Sequence, residues 1–152
     1  MTTNGYINKS KTDSWGTPPS IIEALGKKYG PLSTFDPCPL AKDPSFNGLK
    51  LTWGQFESDK PIFVNPPYSS LKTTKKHGTG WIDKAVYEAN TFGLKIIMLI
   101  PVRSDTQWFH DVILKNGRIE FIPGRITFID AETGEPAKSC CGFGCMYWFL
   151  NC

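Results

Sequence analysis

Ile62-Phe63-Val64-Asn65-Pro66-Pro67-Tyr68 is the stretch that decides how this chain is read. Ile62 to Val64 is an uncharged apolar run, the pattern of a short strand buried on both faces of a parallel sheet. Pro66 and Pro67 cannot donate ladder hydrogen bonds and force an extended, rigid exit. Asn65, Tyr68 and the Pro66 carbonyl are thereby set at the carboxyl end of a strand, where open α/β sheets bind their ligands.

Those groups suit methylation of an exocyclic amino nitrogen, a poor nucleophile whose lone pair is delocalised. Two acceptors against its N–H bonds, the Asn65 side-chain oxygen and the Pro66 carbonyl, favour a tetrahedral nitrogen with a localised pair. Proline removes a competing N–H and fixes the turn. Tyr68 offers a flat face for stacking a base, a contact worth ~1–3 kcal/mol. The same four residues also fit an ordinary strand followed by a Pro-Pro turn, so the rest of the chain must decide.

At 152 residues, with 40% hydrophobic and 20% charged residues, the chain has the balance of one globular domain. Residues 1–12 read as a loose N-terminal tail and 13–152 as a single domain. The longest apolar run, Leu94 to Val102, is strand-sized and far short of the ~18 residues of a membrane span. The N-terminus lacks a basic-then-apolar signal pattern, so a cytoplasmic location is expected. Five cysteines, with no Cys-x-x-Cys pair and no Cys/His set at zinc spacing, point to reduced thiols and no metal. A net charge of +3 permits nucleic-acid binding without requiring it.

In chain order, Thr17-Pro18 reads as an N-cap and first helical residue, with Ile21, Ile22 and Leu25 on one face and Gly30 as a stop. Trp15, just ahead, fits either a hydrophobic anchor or the wall of a pocket floored by the helix N-terminus. Leu32 to Asp36 reads as a second strand punctuated by Pro37-Cys38-Pro39, which would make two rims of one crevice. Taken alone, Asp36 fits a turn before proline better than a site residue. Residues 40–60 read as mostly loop. The polar run from Ser69 to Gly80 carries Lys72, Lys75, Lys76 and His77 and fits either a solvated loop or a clasp on a phosphate backbone. Trp81, Ile82, Ala85, Val86 and Ala89 mark a helix, and Lys95 to Ile100 a central strand. Ser104 and Gln107 have capping-box spacing for a helix carrying Trp108, Phe109, Val112 and Ile113. Arg118–Ile122 and Arg125–Ile129 read as two strands joined by Pro123-Gly124, and Cys145–Leu150 as a final strand. The sum is α/β with a parallel centre and a mixed, antiparallel edge.

Taken together, Asp13-x-Trp15-x-Thr17-Pro18, Phe35-Asp36-Pro37-Cys38, Gly48-Leu49 with Trp53, Phe63 to Ser69, and Trp81-x-x-Lys84-Ala85 form an ordered set. Leu99-Ile100-Pro101-x-Arg103-x-Asp105-Thr106-x-Trp108-Phe109-His110 and Ile119 to Phe128 complete it. The set resembles the phage-type DNA N6-adenine methyltransferases of bacteriophages and prophages. The resemblance implies a compact Rossmann-like class I fold that uses S-adenosylmethionine to methylate N6 of adenine in double-stranded DNA. It makes Asn65, Pro66, Pro67 and Tyr68 the catalytic motif, and puts Trp15, Thr17, Pro18, Asp36, Pro37 and Cys38 at the cofactor. Lys72, Lys75, Lys76, Arg103 and Arg125 are the candidate phosphate contacts, each equally able to be an ordinary surface charge. Asn47 stands where the family usually has aspartate, and Pro39 where it usually has alanine.

The short interval between Asp36 and Asn65 leaves no room for a target-recognition domain, so a short or relaxed target site is expected. Enzymes that methylate RNA or a protein glutamine share Asn-Pro-Pro-Tyr and remain an alternative at this stage, as does a non-catalytic DNA- or cofactor-binding module.

Overall fold

The computed structural model describes residues 15–40 and 43–152. Its elements are β1 (Trp15–Gly16), α1 (Pro19–Tyr29), β2 (Ile62–Val64), α2 (Trp81–Phe92), β3 (Ile96–Pro101), α3 (Leu114–Asn116), β4 (Arg118–Phe121), β5 (Ile129–Asp130) and β6 (Cys145–Leu150). Short 3-10 turns lie at Gly48–Lys50, Trp53–Gln55 and Tyr68–Ser70, and a π turn, Phe109–Ile113, leads into α3. The expected tail, residues 1–12, and Asp13 lie outside the described residues.

The main sheet has the order β2-β3-β6-β4. β2 and β3 are parallel, with Ile62 opposite Ile96, and β6 runs antiparallel to both β3 and β4. Three strands therefore share one direction, and the reversed β6 is inserted between two of them. Every residue of β2 and β3 is buried, as their unbroken apolar sequence requires of strands covered on both faces. Alternation divides the core. Ile96, Met98 and Ile100 pack with Trp81, Ile82, Ala85 and Ala89 of α2 and with Phe109 and Ile113. Ile97 and Leu99 face Leu25 of α1, with Ile126 and Phe128. Helices thus cover both sides of the sheet, and none of the described helices is long and apolar enough to cross a membrane.

Four expectations are corrected. Leu32–Asp36 is not a strand: Ser33 makes one backbone bond to the Pro61 carbonyl (2.8 Å), and its own hydroxyl accepts the Phe35 N–H. That local bond competes with a ladder, so the parallel part of the sheet is the single pair β2–β3. Arg118–Ile122 and Arg125–Ile129 do not pair with each other. β4 bonds to β6, Gly124 (φ 78°) turns the chain away, and residues 126–130 bond instead to 135–141. Ser104 and Gln107 form no capping box. Thr106 closes a turn on the Arg103 carbonyl, and Gln107 donates to Asp111. Finally, Thr17 is not the cap of α1, which begins after Pro18 with no side-chain cap.

Two devices hold the segment between α1 and β2. Glu88, fully buried, pairs with Lys84 (2.9 Å) and accepts the Gly54 N–H, while Lys84 donates to the Leu51 carbonyl. Asn47 caps the Gly48–Lys50 turn by accepting the Leu49 N–H, and Trp53 Nε1 donates to the Gly48 carbonyl. Asn47 thus has a local structural partner here.

Candidate active site

β2 ends at Val64, opposite Met98, while the parallel β3 runs on to Pro101, so the turn beginning at Asn65 opens at the carboxyl end of β2 beside the last residues of β3. The Asn65 side chain is half-buried, and both hydrogens of its amide are engaged. Nδ2 donates to the Trp15 carbonyl (3.0 Å) and to Thr17 Oγ1 (3.1 Å). The amide oxygen is thereby turned to the Tyr68 side, where the Tyr68 hydroxyl lies 3.5 Å away. Pro66 is buried, and among the described residues no hydrogen bond reaches its carbonyl. The turn presents two oxygens and no side-chain charge.

Tyr68 is more enclosed than a free stacking platform. Its hydroxyl donates to the Leu99 carbonyl (3.2 Å), and its ring meets Phe128 edge-on and Phe143 at a tilt, with centroids 6.2 and 5.9 Å away. Burial, then the neighbouring Cys145 thiol, push its pKa well above the ordinary tyrosine value, so the phenol stays neutral. Burial likewise pushes the Cys145 thiol up to about 12.

A cleft of about 410 Å³ runs from Asn65 past Trp15, Thr17, Asp36, Cys38 and Leu40. Ile22, read on one face of α1 with Ile21 and Leu25, is 37% exposed and lines this cleft. Asp36, exposed at the cleft, makes an Asx turn, its Oδ1 accepting the Cys38 N–H (2.9 Å), and desolvation by the surrounding wall raises its pKa. Pro37 is buried behind the wall, with its carbonyl against Gly48. Pro18 and Pro19 supply no N–H at the start of α1, so that end of the helix is a poorer anion seat than its position implies. The structure thus gathers Trp15, Thr17, Asp36, Cys38 and Asn65 around one space, with Pro18 and Pro37 shaping its backbone.

The basic residues stand apart from it. Lys72, Lys75 and Lys76 are exposed on a compact loop closed by reciprocal Thr74–Gly78 bonds (3.0 and 2.8 Å) and by Thr73, which bonds Asp83 and the Gly80 N–H. The Arg103 guanidinium lies 5.6 Å from the Phe143 ring centroid, at the Tyr68 side of the turn, and Arg125 is exposed.

Sequence reasoning missed the β1–β5 ribbon, in which Trp15 pairs with Asp130 and Gly16 with Ile129. Two-residue strands leave no periodicity to read. The one available signal was Gly16: a β-carbon there would come within 2.8 Å of Leu40 and 3.0 Å of Ile129. Among the described residues no group of three or more His, Cys, Asp or Glu side chains is placed to hold a metal. Compared with known proteins, residues 4–150 match the family model described as DNA N-6-adenine-methyltransferase (Dam). No curated protein matches, and no solved structure matches.

Proposed function

The chain belongs to the DNA N6-adenine methyltransferase family, and from that premise we propose that methyl transfer takes place where the cleft meets Asn65. The protein is an adenine-specific DNA methyltransferase. The observation that carries the site assignment is the position of Asn65. It stands at the carboxyl end of β2, its amide hydrogens engaged and its oxygen left to accept, on a cleft shared with Trp15 and Asp36.

The cleft fits S-adenosylmethionine. Its volume of about 410 Å³ lies within the ~300–1,000 Å³ usual for small-molecule sites. Its walls combine a carboxylate, Asp36, with an indole, Trp15, and aliphatic surface from Ile22 and Leu40, a set matched to a ligand with hydroxyls, a flat base and a cation. When bound, the cofactor supplies an electrophilic methyl group on a sulfonium. Asp36, Trp15 and Cys38 are the residues we assign to holding it, with Thr17, Pro18 and Pro37 fixing the shape of the wall. An aromatic face near a cation contributes ~0.5–2 kcal/mol.

On the other side, Asn65 Oδ1 and the Pro66 carbonyl accept the two N6 hydrogens of adenine, aligning the nitrogen for in-line attack. Neither is a base, so the proton leaves to water after transfer. Much of the acceleration comes from this positioning. The target base must leave the helix stack, at a cost of a few kcal/mol, and it reaches the Tyr68 ring only where Phe128 and Phe143 leave it uncovered. Pro67 holds the turn. Lys72, Lys75, Lys76, Arg103 and Arg125 contact phosphates of double-stranded DNA. The target site is short or relaxed. We read the architecture as a compact Rossmann-like class I domain. Three co-directional strands, helices on both faces and a crevice at the strand ends support that reading. A cytoplasmic, phage- or prophage-encoded enzyme is the setting the resemblance implies.

The test is incubation with methyl-labelled S-adenosylmethionine and DNA, beside Asn65→Ala. Labelled N6-methyladenine with the native protein and none with the variant is expected. Labelling unaffected by Asn65→Ala would overturn the site assignment, and methylation mapped to a long, strictly defined sequence would overturn the relaxed target.

A further inference from the structure

We propose that Thr17 is a positioning residue that, beside the Trp15 carbonyl which selects the amide nitrogen, holds the Asn65 amide with its oxygen toward the target base. The inference rests on the reading of Asn65 as the acceptor of N6–H, and deepens it. An asparagine side chain can sit in its pocket either way round, with nearly the same shape. In one orientation it presents an oxygen to the amino group, in the other an NH2 whose hydrogens oppose those of adenine. The reaction depends on the first, so something must discriminate between them.

The discrimination lies behind Asn65. Trp15 contributes a carbonyl oxygen 3.0 Å from Nδ2, and Thr17 a hydroxyl oxygen 3.1 Å from the same atom. A carbonyl can only accept, so it selects the nitrogen. A hydroxyl takes a second amide hydrogen and completes the pair. The flipped amide would set two oxygens, Asn65 Oδ1 and the Trp15 carbonyl, against each other in a half-buried space. The two partners are themselves fixed. The Trp15 backbone is held in β1 by its pairing with Asp130 of β5, and Thr17 stands at the rigid Pro18-Pro19 start of α1. Thr17 lines the cleft, yet its hydroxyl is committed to Asn65, so its contribution falls on the methyl-transfer step and not on cofactor affinity.

The experiment compares Thr17→Val, which keeps shape and removes the hydroxyl, with Thr17→Ser, which keeps it. Single-turnover methylation and equilibrium binding of S-adenosylmethionine are both measured. Loss of one orienting bond is expected to slow Thr17→Val about 10-fold, with the cofactor Kd within about twofold of native and Thr17→Ser near the native rate. A raised Kd at an unchanged rate would make Thr17 a cofactor ligand and overturn the proposal, as would native behaviour in Thr17→Val. A measurement on the native protein stands whether or not the variant folds. In 15N spectra the Asn65 side-chain amide should exchange slowly with solvent, and exchange as free as that of a surface asparagine would also overturn the proposal. Asn65→Ala separates the two levels. Native activity in that variant removes the underlying reading, whereas an inactive Asn65→Ala beside an unaffected Thr17→Val removes only the role of Thr17.

Discussion

The α-carbon of Gly48 sits so close to Pro37 that a β-carbon on it would lie 1.8 Å from the Pro37 carbonyl oxygen. That contact is against backbone, which cannot rotate aside. It joins the 3-10 turn at Gly48–Lys50 to the Asp36–Cys38 wall of the cleft. Gly48→Ala is therefore expected to push the wall out of place, with an overpacking cost of ~1–3 kcal/mol. Thermal denaturation should show a lowered Tm, and S-adenosylmethionine should bind more weakly. Unchanged cofactor binding in a destabilised variant would separate this wall from the cofactor.

The buried Lys84–Glu88 pair supports the same segment from α2. Removing one partner strands the other charge, at ~3–5 kcal/mol, so Glu88→Ala should unfold far more easily in denaturant. Replacing buried pairs by apolar residues is often neutral, but here the pair also satisfies the Leu51 carbonyl and the Gly54 N–H. The double variant Lys84→Met, Glu88→Leu should thus recover only part of the loss. Full recovery would show that these two backbone groups find other partners.

Much of this framework was legible because burial on two faces leaves an unbroken apolar run. β2, β3 and β6 announce themselves in that way, and α2 in its spaced apolar face closed by Gly93. Leu32–Asp36 misled for a physical reason. Its apolar residues do anchor the chain against the core, but the Ser33 hydroxyl offers the backbone a local partner. Residues 122–144 were hardest, since their order comes from Ile126 and Phe128 packing against the sheet and from loop bonds such as Cys141 N–H to the Ile126 carbonyl. At the site, the Asn65 turn could be read from its prolines. Its partnership with Trp15 and Thr17, some fifty positions earlier, could not, because it depends on how α1 and the β1–β5 ribbon meet.

Alkaline pH should expose the buried hydroxyl and thiol beside the site. Tyr68 and Cys145 both have pKa values raised by folding, Cys145 from 9.0 to about 12. The unfolded chain loses these protons first, so above pH ~9 the native state binds more protons and stability falls as pH rises. The Cys145 contribution is present in full below pH 9 and is lost on approach to 12. Denaturant melts between pH 8 and 11 should show this decline, shallower in Cys145→Ala. An equal slope in the variant would mean other groups carry it. At pH 8, exposed Cys140 should react with a thiol reagent well before Cys145.

The basic loop offers a clean test of DNA contact because its fold does not depend on its charges. Reciprocal Thr74–Gly78 bonds and the Thr73 contacts to Asp83 and Gly80 shape it, while Lys72, Lys75 and Lys76 point into solvent. Replacing all three by glutamine should leave the Tm nearly unchanged. If each lysine neutralises a phosphate, the slope of log K against log salt should fall by ~0.9 per contact, so about three units for the triple variant. The weakening should be similar on unrelated sequences, since phosphate contacts carry no base information. A native slope in the triple variant would mark these lysines as solvated surface and leave Arg103 and Arg125 to carry the backbone contacts. Arg103→Gln, at the Tyr68 side of the turn, should then lower both the slope and the rate of methyl transfer.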